Sequence, residues 1–383
     1  MKFIFVHREP IVDRVPNLKS MMLYALEQGH EVLLITTKNP KFPEALLEHE
    51  RAKTVSLSER SRKLELPSTL KIGVFVFYFL LKEILTRGES RFIFAGRGAL
   101  IIAAIFRRLG LKKYAAFVVE YPNLEISSTR TRSKEDMLEF AGIFGAKVFI
   151  THDDVHGRAI EVAVDAKNPG FLTLPNSTLS PPRQPGPSDF LHKRLSIASS
   201  VKIILHSGGF GEWFSSQELA AMSCQIGEGF RLVFHLSHDI SQDGYFKEYR
   251  EKKKTRDNSI FSMDPVRNED LDALVASAHI GVAWYNLKAL GFRAEKMGFA
   301  AGKIGSYLKC GIPVIAPNFE SLSYIREYRA GILIDNLDEL NIAIETINKQ
   351  YEQYTSGALR CYRSTWEPRP HLARIYQKLG EIG

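Results

Sequence analysis

The amino-acid sequence predicts an α/β fold in two domains, each built on a parallel sheet with helices on both faces, and three observations carry that expectation. The chain has 383 residues, more than a single hydrophobic core usually organises. Short apolar, β-rich runs alternate with stretches of helical length through both halves, which calls for parallel strands joined by crossover helices. A proline-rich segment from Pro175 to Pro187 interrupts the alternation, and it suits neither a helix interior nor a central strand.

The first half opens with a strand over Phe3–Val6, a helix from Leu18 to Gln28 closed by Gly29, and a strand over Val32–Thr36, a βαβ unit. Further strands are expected at Phe92–Ala95, Tyr114–Glu120, Lys147–Thr151 and Phe171–Leu174. After the prolines the pattern restarts at Val201–His206 and continues through Arg231–Leu236, Ser259–Met263, Ile280–Trp284, Pro313–Ala316 and Ile332–Ile334. The expected division is a Rossmann-like domain over 1–180, a linker over 181–198, a second Rossmann-like domain over 199–362 and a terminal helical segment over 363–383.

Composition excludes several classes. With 45% hydrophobic and 25% charged residues, the chain is an ordinary globular protein, neither disordered nor collagen-like. Cys224, Cys310 and Cys361 have no paired spacing, so neither a disulfide framework nor a structural zinc is expected, and a reducing cytoplasm suits them. The apolar run at the start is too short for a signal peptide, and the longest one, Ile72–Leu81, falls well short of the ~20 residues of a spanning helix.

The net charge of +8 suits nucleic acid, anionic lipid or a phosphorylated substrate about equally. Arg51, Lys53, Arg60, Arg62 and Lys63 precede the Phe-rich run Gly73–Leu81, and Arg107, Arg108, Lys112 and Lys113 follow it. That juxtaposition fits peripheral contact with the inner face of a membrane; it equally fits a buried helix with a solvated basic flank.

Two stretches carry the chemistry. Ser207-Gly208-Gly209-Phe210-Gly211 follows the Val201 strand, where glycines let backbone N–H groups approach a ligand. Beyond it, Ser215 and Glu218 have capping-box spacing. In Gly302-Lys303-Ile304-Gly305-Ser306-Tyr307-Leu308-Lys309-Cys310-Gly311, Ile304, Tyr307 and Leu308 share a buried face, and Lys303 sits near a helix start. A cation there opposes the helix dipole unless an anion lies close by. A diphosphate between Lys303 and the glycine turn removes the conflict; a solvent-facing lysine is the other reading.

In motif order over most of the chain, the sequence resembles the GT-B glycosyltransferases of the retaining, family 4 (group 1) kind. Asn17 with Ala25–Val32 looks like that family's first βαβ, and Leu174-Pro175-Asn176-Ser177 like the end of its first domain. Leu205–Phe210 looks like its donor-domain glycine turn, Ala278–Ala283 with Lys303–Pro317 like its most specific stretch, and Thr365-Trp366-Glu367 like the approach to its terminal helix. The resemblance implies two sheets facing a central cleft and a terminal helix crossing back to the first domain.

It also implies hexosyltransferase chemistry, with a nucleoside diphosphate sugar as co-substrate, a saccharide or lipid-linked acceptor as in surface-polysaccharide synthesis, retention of configuration, no metal, no separate cofactor and no nucleic acid. Donor contacts then fall to Ser207, Gly208, Gly209, Phe210, Asp264, Pro265, Val266, Arg293, Gly302, Lys303, Ile304, Ser306 and Tyr307. Acceptor contacts fall to Asn17, Glu120, Tyr121 and His152, with Glu120 and Lys303 as the catalytic pair. Glu120 is independently marked by ending its strand, where α/β sheets bind ligands. His152, Asp153, Asp154 and His156 read as a loop and helix start.

One departure stands out. The family commonly carries glutamates where this chain has Gly298 and Ser306; Glu295 and Lys296 lie nearby. A nucleotide-sugar epimerase, drawing on Glu120 and His152, and a non-catalytic sugar-nucleotide-binding protein are the alternatives.

Overall fold

The computed structural model describes residues 1–8, 15–37, 49–56, 73–74, 76–78, 81–82, 90–111, 113–120, 122, 133–164, 170–179, 188–252 and 257–382. It divides into two compact units, Met1–Leu179 with Glu367–Gly383, and Ser180–Trp366.

In the first unit, β1 (Lys2–His7), β2 (Glu31–Thr36), β3 (Ala52–Ser56), β4 (Ser90–Ala95), β5 (Tyr114–Phe117), β6 (Val148–Thr151) and β7 (Phe171–Thr173) form a sheet in the order β3-β2-β1-β4-β5-β6-β7. Every pairing is parallel. Successive side chains point to opposite faces: Phe3, Phe5 and Leu34 pack with Met21 and Leu372, whereas Ile4, Val6 and Ile35 pack with Leu100 and Ile143. Covering both faces makes the central strands unbroken apolar runs, as the sequence shows. The edge strand β3, Ala-Lys-Thr-Val-Ser, buries one residue of its five and carries no such run, so sequence patterning misses it. β5 stops at Phe117, leaving Glu120 beyond the strand end instead of within it.

The terminal helix Pro368–Glu381 belongs to this unit. Leu372, Ile375, Tyr376 and Leu379 share a core with the opening helix Pro16–Glu27. The Tyr376 hydroxyl donates to the Met21 carbonyl at 2.7 Å, and Arg369 meets Glu27 at 2.8 Å.

In the second unit, β8 (Lys202–Gly208), β9 (Phe230–Leu236), β10 (Ile260–Ser262), β11 (Ile280–Val282), β12 (Val314–Pro317) and β13 (Gly331–Ile334) form a parallel sheet in the order β10-β9-β8-β11-β12-β13. Its sequence order reverses between β8 and β11, the place where doubly wound sheets bind ligands beyond their carboxyl ends. Part of the expected linker is structural: residues Phe190–Leu195 form a helix, Leu191 is fully buried in this unit's core, and its N–H donates to Ser277 Oγ at 3.1 Å. The same core extends to Trp366, which is also fully buried. Among the described residues no helix is long and apolar enough to cross a membrane.

Leu372→Ala should cost ~2–5 kcal/mol, the usual penalty of truncating a fully buried leucine. Denaturant melts should show the loss, and a change under 1 kcal/mol would mean that the terminal helix is not docked as described.

Candidate functional site

The second unit's switch point is assembled by the helix Gly302–Lys309. Ile304, Tyr307 and Leu308 are fully buried, as their spacing predicts. The Tyr307 hydroxyl donates to the Leu205 carbonyl at 2.9 Å and accepts from the Ser207 N–H at 2.8 Å, so it pins the helix to the last residues of β8. Its ring lies over Gly281 of β11, where an added Cβ would fall 2.4 Å from the ring. One turn back from Tyr307, Lys303 is thereby brought to the carboxyl end of β8.

There the ammonium meets the glycine turn. Gly208 has φ +132°, and a Cβ on it would stand 3.4 Å from Lys303 Nζ. Lys303 Nζ lies 3.6 Å from the Phe214 ring centroid and 5.5 Å from that of Tyr285, a cation–π setting. His206 Nε2 is 3.4 Å away. Among the described residues no carboxylate pairs with this ammonium. Burial pushes its pKa down to about 7, because removing water penalises the charged form. His206, held neutral first by burial and then by the neighbouring Lys303, has its Nε2 3.2 Å from the Gly209 carbonyl. The site is a partly buried cation walled by aromatic rings and a neutral imidazole, a setting that an anion would complete.

Not every expected donor residue offers a group to a ligand. Phe210 is buried against Phe234, Tyr245, Phe246, Tyr249 and Phe261, so its side chain is core. Ile304 and Tyr307 likewise serve the fold, and the Ser207 N–H is spent on Tyr307. The expected capping box does not form. Ser215 adopts a left-handed conformation at φ 44° without a side-chain cap, and it is Ser216 Oγ that accepts, from the Gly211 N–H at 3.0 Å. Ser306 Oγ donates within its own helix to the Gly302 carbonyl at 3.1 Å.

Asp264, Pro265 and Val266 follow β10, which β9 separates from β8. Asp264 is exposed and lies 3.6 Å from Arg194, while Val266 rests on the core. Arg293 Nε is buried without a hydrogen-bond partner. Residues that sequence reasoning missed are Phe214, Tyr285 and His206; aromatic residues next to strands ordinarily signal core, and nothing in their spacing separates them from it.

In the first unit, Asn17 and His152, expected at the acceptor, lie inside the fold. Both are buried and face each other, with Asn17 Nδ2 3.2 Å from His152 Nδ1. His152 Nε2 lies 2.7 Å from the Val119 carbonyl, so Nε2–H donates there and Nδ1 accepts from Asn17. Asn17 also donates to the Leu174 carbonyl at 3.4 Å and accepts from the Leu18 N–H at 3.0 Å. The pair is a strut tying the opening helix to the ends of the sheet. Asp153 Oδ1 accepts from the His156 N–H and ring at 2.8 Å, and a helix runs Asp154–Val164, the expected loop and helix start. Glu120 is exposed. Tyr121 lies outside the described residues.

Residues 227–363 match the family model "Glucosyltransferase 3-like, C-terminal domain", a span that includes Lys303. No curated protein matches the chain by sequence. Among solved structures, sucrose-phosphate synthase from Thermosynechococcus elongatus superposes with a TM-score of 0.70 at 15% identity over 100% of this chain and 99% of that one. HepE of Anabaena, solved with UDP and glucose, gives 0.73 at 13% over 100% of both. A glycosyltransferase from Rickettsia africae gives 0.66 at 12% over 100% and 98%. The chain has the GT-B fold.

Gly208→Ala places a Cβ at a positive φ against Lys303, so a loss of ~1 kcal/mol or more is expected in thermal melts; unchanged stability would contradict the turn geometry. Acid should weaken the fold as well. Burial lowers the pKa of His152, His235 and His279 to about 4 each, so the unfolded chain binds more protons below pH 6.5. Stability is therefore full above that pH and is lost as pH falls toward 4, His152 alone accounting for roughly 3 kcal/mol. His152→Gln should flatten the stability–pH slope in that window; an unaltered slope would refute the assignment.

Proposed function

We propose that the chain is a hexosyltransferase that moves a glycosyl group from a UDP-sugar to a hydroxyl of a saccharide or lipid-linked acceptor. The observation that carries the reading is the Lys303 ammonium held at Gly208 among aromatic rings with no carboxylate partner. A diphosphate supplies the missing negative charge, and the start of the Lys303 helix adds N–H groups that its own turns cannot satisfy. HepE, solved with UDP and glucose, supports UDP as the nucleotide.

In the reaction, the bond between the anomeric carbon and the diphosphate oxygen breaks as the acceptor oxygen bonds to the same carbon. The acceptor's proton passes to the departing diphosphate, and UDP leaves. Charge grows on the diphosphate in the transition state, and a preoriented ammonium in a site of low water content stabilises it. Retention, in which acceptor and leaving group share one face, rests on the family resemblance, as does the absence of a metal requirement. Glu120, exposed past the end of β5, is our choice for orienting the acceptor hydroxyl.

The epimerase alternative loses its histidine, because both nitrogens of His152 are engaged. Peripheral contact with an anionic bilayer is part of the proposal: Val74, Phe77, Tyr78 and Leu81 are exposed at the i, i+3, i+4, i+7 spacing of one helix face, beside exposed Arg107 and Arg108.

UDP should raise the Tm, GDP and ADP less so, and Lys303→Ala should abolish the shift. The pH dependence is more specific. In the free protein Lys303 has a pKa of about 7; a bound diphosphate favours the charged form and raises it. Binding therefore takes up a proton above pH 7, and UDP affinity should fall by up to ~10-fold per pH unit from there. Lys303→Ala should remove that dependence, and a pH-independent wild-type affinity between pH 7 and 9 would defeat the reading.

A further inference from the structure

Trp213 has no part in the mechanism above, yet it is built into the same turn. It lies on the short 3-10 turn Glu212–Phe214 and is 50% exposed. Single exposed aromatics are common and need no explanation. What distinguishes this one is how firmly it is held. Its six-membered ring lies against Gly211, where a Cβ would fall 3.0 Å from it, and its Nε1 lies 3.8 Å from a Cβ placed on Gly209. The Trp213 carbonyl accepts from the Asn286 N–H at 2.9 Å, and Asn286 Nδ2 donates to the neighbouring Glu212 carbonyl at 3.0 Å. Edge-on to Trp213, 6.0 Å away, is Phe214, whose face carries the Lys303 ammonium at 3.6 Å.

These contacts place a half-open indole, packed over Gly211, within one residue of the ring that holds the cation. Position along the sheet edge then separates the two ends of a nucleotide sugar. Asp264–Val266 follow β10, on one side of β8; Asn286, to which the Trp213 turn is tied, follows β11 on the other. If the diphosphate sits at Gly208 and Lys303 and the base lies at Asp264–Val266, where the family resemblance puts donor contacts, the Trp213 side is away from the base and beside the glycosyl end.

We infer that Trp213 is the stacking surface for the donor's pyranose ring, its indole face covering the C–H face of the sugar and thereby positioning the anomeric carbon. A flat, amphipathic ring with only two side-chain torsions does this at low entropic cost. Glycines at 209 and 211 serve the same end, since a side chain at either would displace the indole or Phe214.

The inference rests on the nucleotide-sugar reading, and the test keeps the two apart. Dissociation constants for UDP and for UDP-glucose are measured with wild type, Trp213→Ala and Trp213→Phe. Trp213→Ala should weaken UDP-glucose about 10-fold and leave UDP within about 2-fold, with Trp213→Phe recovering most of the loss. An equal loss for both ligands, or a loss for neither, overturns the role of Trp213 while leaving the transferase reading intact. A wild-type protein that binds neither ligand overturns both. Because the indole is half in solvent, circular dichroism melts should show all three proteins equally folded.

Discussion

The second unit is organised around a charge without a counter-charge. Lys303 loses water to Phe214, Tyr285 and the turn at Gly208, and receives no carboxylate in return. Burying a lone ammonium is costly, and here part of the cost is offset by ring quadrupoles and part by proton release near pH 7. Such a group gains most from a ligand that is itself anionic. A neutral sugar would leave the conflict standing.

Holding the cation in that position takes several residues whose own chemistry is silent. Tyr307 spends its hydroxyl on two backbone groups of β8, and Gly281 exists as glycine because the Tyr307 ring occupies the space of its Cβ. At the other end of the helix, Lys309 is buried and paired with Asp272 at 2.6 Å, in contrast with the unpaired Lys303 on the same helix. Gly305 admits the ring of Trp366, 2.4 Å from where its Cβ would be. The helix is thus fixed to the sheet, to its neighbour and to the segment leading into the terminal helix, so the ammonium has little freedom to swing into water.

Much of this was legible in the sequence, and the reasons are physical. Strands buried on both faces must be apolar throughout, so Phe3–Val6 and Val314–Ala316 announce themselves, whereas β3, with a single buried residue, does not. Lys303 was legible because a cation at a helix start is an electrostatic misfit that needs a cause. Phe214 and Tyr285 were not, since an aromatic side chain looks the same in sequence whether it fills a core or faces a cation. The contact between Asn17 and His152 was not legible, for a different reason. A hydrogen bond between residues 135 apart leaves no local trace, and a polar residue at a strand end resembles a ligand contact until its partner is known.

The departure at Gly298 and Ser306 takes on a different meaning once the charges are in place. Gly298 has φ +47°, a left-handed conformation that costs a side-chain-bearing residue roughly 1–2 kcal/mol, so the backbone itself disfavours a glutamate there. Glu295 is no substitute on the structure's terms: its side chain is exposed, and its carbonyl accepts from Ser321 Oγ at 2.5 Å. Ser306 lies three residues beyond Lys303, on the same face of one helix, the spacing at which a carboxylate and an ammonium pair. A glutamate at 306 would hand Lys303 an internal counter-ion and compete for it with the diphosphate of the proposed donor. Serine cannot. Its hydroxyl donates to the Gly302 carbonyl and keeps lone pairs that can accept from a ribose hydroxyl. The exchange of carboxylate for hydroxyl is therefore coherent with the proposed role of Lys303, whose charge it leaves without an internal partner on that face of the helix.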